Sequence, residues 1–519
     1  MKNYFKYIAV LALGVVSCEP ELENPVDGGE IYSNGTADFS NYVALGNSLT
    51  AGYADGALYL SGQQNSYPNI LAEKFAVVQP TQGFTQPLVN DNAGGLLLGG
   101  NKIADTRFVL SVGANGPVPK RYRGAAPTTE VSNKLTGPFN NMGVPGAKVY
   151  HLGFQGYGSV AAVSTGLANP YFARFSSADN ATVLGDALAQ DPTFFTLWIG
   201  NNDVLGYASS GGVGEYQLNN TNPATYGPND ITDPNLFAFS YGQIVEALAQ
   251  KADGVLLNIP DVTSSPYFTT VPNNALALDA ATAGQLTAYF QAVAGVMTQV
   301  LMQQNVPAEQ AQAIASQYAI KFNEGPNRFL IDVEKTQTNP LGFRQMTAEE
   351  MILLTVDQAA LASGYGSVKF SQEVGEVIAV LQSGGSLTQE QVQILFGAVD
   401  GLDDKDALDT EELGYIQDAT TRFNAAIKLY SEQFGLGFVD AQALQNQLNA
   451  QGIAFDGGVV TSDFVTGGAF SLDGIHLTPR GYAVIANAII EETNATYGSN
   501  VPKANVGAYG TVTLSQDVQ

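Results

Sequence analysis

The sequence predicts an α/β layer fold built around a parallel sheet of about five strands. Five short apolar runs each end where glycine and polar residues gather, a pattern typical of buried parallel strands. Segments with apolar residues at helical spacing lie between these runs, and the alternation of strand and helix favours a right-handed α/β arrangement. With 519 residues, the chain is long enough for such a domain with large insertions.

Four of the five strands are assigned to definite runs of apolar residues. They are Tyr42–Leu45, Thr193–Ile199, Val255–Ile259 and Gly437–Asp440. The remaining strand, second along the chain, is placed just before Asn141. Apolar residues at helical spacing predict one helix over Leu236–Lys251 and another over Thr410–Phe434, with Gly435 as the C-cap of the latter.

Two stretches exceed what a five-stranded α/β domain needs. Residues 77–139 are rich in Gly, Asn, Pro and Thr without a sustained period, and we interpret them as long loops over the carboxyl edge of the sheet. Residues 265–408 show helical stripes and are interpreted as a mainly helical insertion or cap. The predicted α/β domain therefore comprises residues 39–264 and 409–499, followed by a tail over 500–519.

The N-terminus has the pattern of an export signal. A short positive region from Met1 to Lys6 precedes an apolar run that ends at Ser17 and Cys18. The sequence before Cys18 resembles a lipobox, which implies residues 1–18 as a lipoprotein signal peptide and acylation of the Cys18 thiol. The alternative is a plain signal peptide followed by a buried free thiol. Residues 19–38 hold few apolar side chains and are predicted to be a flexible tether.

Charge and hydropathy limit the classes of partner. The formal net charge is −26, so the long-range field repels nucleic acid and anionic lipid surfaces. After the signal region no segment is apolar for long enough to span a bilayer, so membrane association is expected through the N-terminal lipid alone, in the cell envelope, most simply at the outer membrane. The sequence leaves the oligomeric state open.

A serine and a histidine stand in positions suited to nucleophilic catalysis. Ser48 directly follows the first strand, where open α/β sheets bind their ligands, although most serines in such turns are helix caps. A serine hydroxyl needs an adjacent base, and the chain has only two histidines. His476 lies three residues after Asp473 with Gly474 between them, which lets a tight turn bring carboxylate and imidazole together.

Two further turns offer donors for a developing negative charge. Gly200-Asn201-Asn202-Asp203 follows the Trp198 strand, and an asparagine amide there is a suitable donor for an oxyanion, although Asn and Asp also favour turns. The glycine-rich turn from Asn141 to Ala147 would let the backbone approach a ligand closely.

In this order the four segments resemble the sequence blocks of the SGNH or GDSL-like hydrolases. The resemblance implies a flavodoxin-like three-layer α/β/α sandwich and a serine esterase or lipase that needs no metal or organic cofactor. It also implies Ser48 as nucleophile, His476 as base and Asp473 as its orienting acid. The backbone N–H groups of Ser48 and Gly146, with the Asn202 side chain, would form the oxyanion hole. Asn47 departs from the aspartate usual before the nucleophile, and we expect this change to be tolerated.

Alternative interpretations concern other residues and other functions. His151 is the second histidine and is expected to be structural, and the acidic run from Asp400 to Glu412 lacks the spacing of a calcium-binding EF-hand. An acyl ester of a lipid and an acetyl ester of a polysaccharide both remain open as substrates. The large insertions also allow a surface lipoprotein that binds glycan or lipid without turnover.

Overall fold

The computed structural model describes residues 32–113 and 116–518. The predicted signal peptide, Cys18 and most of the predicted tether lie outside the described residues. The end of the predicted tether contacts the body of the protein, because the Thr36 amide donates to the Tyr497 carbonyl at 2.9 Å and Ala37 is buried. Within the described ranges, no helix combines the length and apolar character needed to cross a membrane.

A five-stranded parallel sheet forms the centre of the molecule, which confirms the predicted sheet. Its strands in chain order are β1 (Tyr42–Gly46), β2 (Asn141–Gly143), β3 (Phe194–Trp198), β4 (Asp253–Leu257) and β5 (Gly437–Val439). The spatial order is β2-β1-β3-β4-β5, with Gly46 of β1 beside Gly143 on one side and Trp198 on the other. The sequence prediction placed the second strand too early, because this three-residue edge strand is itself composed of Asn, Met and Gly.

Alternate residues of the strands enter two separate apolar cores. Val43 and Leu45 of β1 lie in one core, and Tyr42 and Ala44 lie in the other. Both faces of the sheet are therefore buried, as the continuous apolar runs of the strands require.

Helices supply the outer side of both cores. A four-residue helix, α1 (Ser48–Ala51), follows β1. The longer helices are α2 (Tyr67–Val78), α3 (Asn202–Ser209), α4 (Pro234–Ala249), α5 (Ala280–Gln303), α6 (Ala308–Ser316), α7 (Gln372–Gln382), α8 (Gln389–Gly397), α9 (Thr410–Phe434), α10 (Ala441–Gln451) and α11 (Pro479–Tyr497). Helices α4 and α9 pack on the first core, and α2, α10 and α11 pack on the second. Helix α9 has the bounds predicted from its apolar stripe, with Gly435 at φ +64° as its C-cap.

Short helices complete the connections. The remaining α-helical turns are Leu60–Gln64, Val160–Val163, Pro170–Ala173, Val183–Leu188, Pro266–Thr269 and Gln358–Ala362. The 3₁₀ turns are Val149–Gly153, Pro223–Thr225, Val262–Ser264, Asp404–Asp406 and Val506–Ala508.

The stretch 77–139, predicted to consist of loops, contains two antiparallel hairpins. One pairs Leu96–Leu98 with Asn101–Ala104, and the other pairs Phe108–Gly113 with Gly116–Arg121. The prediction of loops was wrong here, although Gly99-Gly100 is a recognised hairpin turn signal. The C-terminal residues also contact the second hairpin, since the Leu110 amide donates to the Thr513 carbonyl at 2.8 Å.

The segment 265–408 combines helices α5 to α8 with short antiparallel strands. The strand pairs are Leu276–Leu278 with Gly325–Asn327, Leu330–Asp332 with Phe343–Gln345, Met351–Ile352 with Ala407–Leu408, and Ser367–Val368 with Val399–Asp400. Each of these strands has two or three residues, which is too short to show a period of two in the sequence. A hairpin of Ile453–Phe455 with Gly458–Val460 follows α10 outside this segment.

Candidate active site

The turn after β1 fixes the position of Ser48. Asn47 caps the short helix α1 by accepting a hydrogen bond from the Leu49 amide at 3.0 Å, which places Ser48 at the first helical position. A side chain at Gly46 would lie 2.1 Å from Thr50 Oγ1 and 2.3 Å from the Trp198 carbonyl oxygen, so only glycine fits there. Close packing therefore explains Gly46 and helix capping explains Asn47, whatever the chemistry of Ser48.

Ser48, His476 and Asp473 form one continuous chain of hydrogen bonds. Ser48 Oγ lies 2.9 Å from His476 Nε2, and His476 Nδ1 lies 2.9 Å from Asp473 Oδ2. Ser48 and His476 are 428 residues apart in sequence, and the structure brings them together at the carboxyl edge of the sheet. The Tyr53 ring packs against the imidazole with ring centroids 4.6 Å apart, which helps to fix its orientation.

The Asp473 carboxylate accepts hydrogen bonds at both oxygens. Oδ1 receives the Ser471 hydroxyl and the amides of Ile475 and His476, at 3.1, 2.9 and 2.8 Å. Oδ2 receives the Gly56 amide at 2.7 Å in addition to the His476 ring. Burial alone would raise the pKa of Asp473, but the imidazole charge and these hydrogen bonds outweigh it and hold the pKa well below its usual range. Asp473 therefore stays ionised and can stabilise an imidazolium.

A second buried aspartate supports the Asp473 loop and was missed in the sequence. Asp55 Oδ1 accepts from the Leu472 amide at 3.0 Å, and the Asp55 amide donates to Ser471 Oγ at 2.9 Å. Tyr59 donates its hydroxyl to Asp55 Oδ2 at 2.9 Å. Burial raises the pKa of Asp55 to about 6. Asp55 has φ +54°, and its position before Gly56 is the only sequence signal, which is that of a tight turn.

The predicted oxyanion donors lie around the same edge. In the described part of the chain, the backbone N–H groups of Ser48 and Gly146 make no hydrogen bond, so both remain available to a ligand. Gly146 has φ +81°, a conformation that favours glycine. The Asn202 amide donates one N–H to the Ala147 carbonyl at 2.9 Å, and its other N–H is left for a ligand.

Buried polar contacts connect the turn after β3 to its neighbours. Asn47 Nδ2 donates to Asn201 Oδ1 at 3.1 Å and thereby joins the turns after β1 and β3. Asp203 is fully buried and accepts from Thr232 Oγ1 at 2.7 Å and the Val149 amide at 2.9 Å. Burial raises the pKa of Asp203 to about 7. These contacts position the loops rather than contribute reacting groups.

A pocket opens beside the Ser48 hydroxyl. Its polar lining consists of Ser48, His476, Asn201, Asn202, Ser265 and Gln445, and its apolar lining of Leu49, Leu205, Pro260, Val262, Phe470 and Ile475. Ser265 is only 5% exposed, and its Oγ has no hydrogen-bond partner among the described residues. Sequence patterns gave no signal for Ser265 or Gln445, because each comes from a segment distant in the chain from the four motifs.

The segment 265–408 also contacts the loop that carries Asp473 and His476. The Tyr267 amide donates to the Gly474 carbonyl at 3.0 Å. Gly474 has φ +74°, and a side chain there would lie 2.9 Å from the Tyr267 nitrogen. The glycine between Asp473 and His476 is therefore required both by the turn and by this close approach.

The second histidine has a structural role. His151 Nδ1 accepts from the Lys148 amide at 3.0 Å, and its ring stacks on Tyr157 at 4.5 Å. Burial lowers the pKa of His151 to about 3, so its ring is neutral. His151 makes no contact with Ser48, His476 or the pocket described above.

The acidic run from 400 to 412 is used in local structure. Asp409 and Glu412 form a capping box at the start of α9, and Asp403 pairs with Lys405 at 2.8 Å. Within residues 32–113 and 116–518, no group of three or more His, Cys, Asp and Glu side chains is arranged to hold a metal ion.

Comparisons with protein-family models, with curated proteins and with solved structures gave no match for this chain. The assignment of function therefore depends on the geometry of the site and on the four motifs.

Proposed function

We propose that the chain is a serine hydrolase of carboxylic esters. The observation that carries this proposal is the continuous hydrogen-bonded chain of Ser48, His476 and Asp473 beside a pocket. Ser48 Oγ attacks the ester carbonyl while His476 Nε2 takes its proton, and the imidazolium is stabilised by Asp473. His476 then gives that proton to the departing alcohol, which leaves an acyl group on Ser48. A water molecule activated by His476 releases the acid and restores the hydroxyl.

The oxyanion of each tetrahedral intermediate would be stabilised by three donors. These are the backbone N–H groups of Ser48 and Gly146 and the remaining N–H of the Asn202 side chain. Two of them have no partner in the described structure, and the third comes from an asparagine beside the nucleophile. Losing one such donor typically lowers the rate about 100- to 1000-fold.

We also propose that the domain is an SGNH or GDSL-like sandwich. The strand order β2-β1-β3-β4-β5 is that of flavodoxin-like α/β proteins, whose ligands bind where the order reverses, between β1 and β3. Ser48 follows β1 and Asn202 follows β3, so two of the four motifs flank that point. Asn47 serves as helix cap, which an aspartate would also do, and its departure from the family pattern leaves the nucleophile turn intact.

Hydrolysis of p-nitrophenyl butyrate by purified variants tests the enzymatic proposal. Ser48→Ala and His476→Ala should each lower kcat by at least about 10⁴-fold, since members of a triad act as a unit. His151→Ala is the matched histidine control and should keep most of the activity. Undiminished hydrolysis in the first two variants would refute the proposed roles. Absence of any ester hydrolysis by the wild-type chain would instead favour the surface binding protein.

We propose in addition that Cys18 carries a lipid that anchors the protein in the cell envelope. The support is the lipobox-like sequence at the end of the apolar N-terminal run. Cys18→Ala should abolish incorporation of labelled fatty acid and release the protein from membranes. Unchanged membrane association would contradict the anchor.

A further inference from the structure

An apolar cavity adjoins the pocket that contains Ser48. It is a narrow space of about 70 Å³, partly open to solvent, between α10, α11, the 453–460 hairpin and the loop before His476. The cavity and the Ser48 pocket share five lining residues, which are Leu49, Pro260, Gln445, Phe470 and Ile475. Leu49 directly follows Ser48 and Ile475 directly precedes His476, so the cavity begins beside the reacting groups.

The chemistry of the lining changes between the two spaces. The Ser48 pocket presents the polar groups of Asn201, Asn202 and Ser265. The adjoining cavity is lined by buried apolar side chains such as Ala441, Leu448 and Val460. Among its lining side chains, only Gln445, at the junction of the two spaces, has a polar group without a hydrogen-bond partner in the described structure. The Trp198 indole N–H in its wall already donates to the Asn258 carbonyl at 3.1 Å.

Such a lining discriminates between the two classes of ester that the motifs leave open. Sugar hydroxyls buried in this cavity would lose their hydrogen bonds to water and find almost no replacement, which is unfavourable. An acetyl group would bury only one methyl group against this lining. A hydrocarbon chain attached to the ester carbonyl would instead enter past Leu49 and Ile475 and remove apolar surface from water.

We propose that this cavity is the acyl-chain subsite and that the substrates are esters of straight-chain fatty acids longer than acetate. This inference rests on the proposed esterase function and adds its acyl specificity. The carbonyl lies at Ser48, the hydrocarbon chain extends between α10 and α11, and the alcohol portion faces the polar side of the Ser48 pocket. The buried and unpaired Ser265 hydroxyl is placed to hydrogen-bond that portion.

A chain-length series of p-nitrophenyl esters from acetate to dodecanoate tests the subsite. Each methylene that enters an apolar site is worth about two- to fourfold, so the six additional methylenes should raise kcat/KM at least about 50-fold from acetate to octanoate. Ala441→Phe places a large ring in the cavity and should lower the ratio of octanoate to acetate kcat/KM by at least about tenfold. Ala450→Phe adds the same ring on the exposed face of the same helix and should leave the ratio unchanged.

Binding of a fatty acid separates this inference from the enzymatic one. In Ser48→Ala, octanoate should raise Tm in a concentration-dependent manner. If Ala441→Phe fails to fold, Leu448→Ala enlarges the cavity instead and should shift the preferred ester towards longer chains. Hydrolysis with kcat/KM highest for acetate would overturn the acyl subsite while leaving the esterase proposal intact. Octanoate binding without hydrolysis of any ester would refute the esterase proposal and retain the cavity as a fatty-acid site. Absence of both would overturn the subsite and the enzyme together.

Discussion

Asp473→Asn probes the triad with almost no change in side-chain shape. Three donors converge on Asp473 Oδ1, so the amide oxygen of an asparagine will take that position. Its NH₂ group then replaces Oδ2, where it faces the Gly56 N–H and His476 Nδ1. The imidazole is forced to accept at Nδ1 and to carry its proton on Nε2. In that tautomer His476 cannot take the proton from Ser48.

Two magnitudes follow from this geometry. The wrong tautomer should lower kcat on the order of 10⁴-fold, which corresponds to about 5.5 kcal/mol of activation free energy. The Gly56 N–H loses its acceptor in a partly buried position, which should lower the free energy of unfolding by about 1–2 kcal/mol. KM should change much less than kcat, because Asp473 lines neither pocket.

The assay measures kcat and KM for p-nitrophenyl butyrate together with thermal unfolding. Ser471→Ala is the matched control, because it removes one donor to Asp473 Oδ1 and the acceptor of the Asp55 amide without changing the imidazole tautomer. We expect this control to lose less than about tenfold in kcat. Asp473→Asn with more than about a tenth of the wild-type kcat would refute the role of Asp473 as the orienting acid.

Substitutions at three further residues test the Asn47 turn, the Asp55 support and a buried acid at the start of α9. Burial raises the pKa of Glu412 to about 7 from an ordinary 4.5, so as pH rises this carboxyl loses its proton in the unfolded chain before it does so in the folded protein, and stability should fall between these values. Glu412→Gln keeps the capping box and should remove about 1–2 kcal/mol of this dependence, measured by denaturant unfolding at a series of pH values. An unchanged pH dependence would contradict this assignment. Asn47→Asp should keep kcat within about tenfold of the wild-type value, because the cap to the Leu49 amide survives and only the hydrogen bond to Asn201 is lost. A loss near that of Ser48→Ala would contradict the expected tolerance. Asp55→Ala should lower kcat by about 10- to 100-fold through displacement of the Asp473 loop. Asp55→Asn retains an acceptor for the Leu472 amide and should keep most of the wild-type kcat. Equal losses in the two variants would show that the charge of Asp55 matters more than the position of the loop.

The sequence was sufficient to predict four of the five strands of the central sheet and the segments that follow them. Continuous apolar runs identify buried parallel strands, and the carboxyl ends of such strands share one edge of the sheet. Residues that directly follow strands, such as Ser48 and Asn202, were therefore expected to lie near each other. The pairing of Asp473 with His476 followed from their spacing around a glycine.

Other parts of the site depend on contacts that no local pattern encodes. Asp55 supports Asp473 through hydrogen bonds to a loop more than four hundred residues away, and its sequence context indicates only a turn. Ser265 and Gln445 reach the pocket from separate segments. The antiparallel strands in 265–408 are too short to show a period of two, and two of the three residues of the edge strand β2, Asn141 and Gly143, are of types that favour turns.

Covalent labelling of the serine nucleophile tests the central claim most directly. The wild-type chain is incubated with a fluorophosphonate, digested, and the modified residue is located by mass spectrometry. The arrangement of Ser48 and His476 predicts one adduct, on Ser48, that forms far more slowly in His476→Ala. An adduct on a different serine, or an unlabelled Ser48 in folded protein, would contradict the assignment of this site as a serine hydrolase.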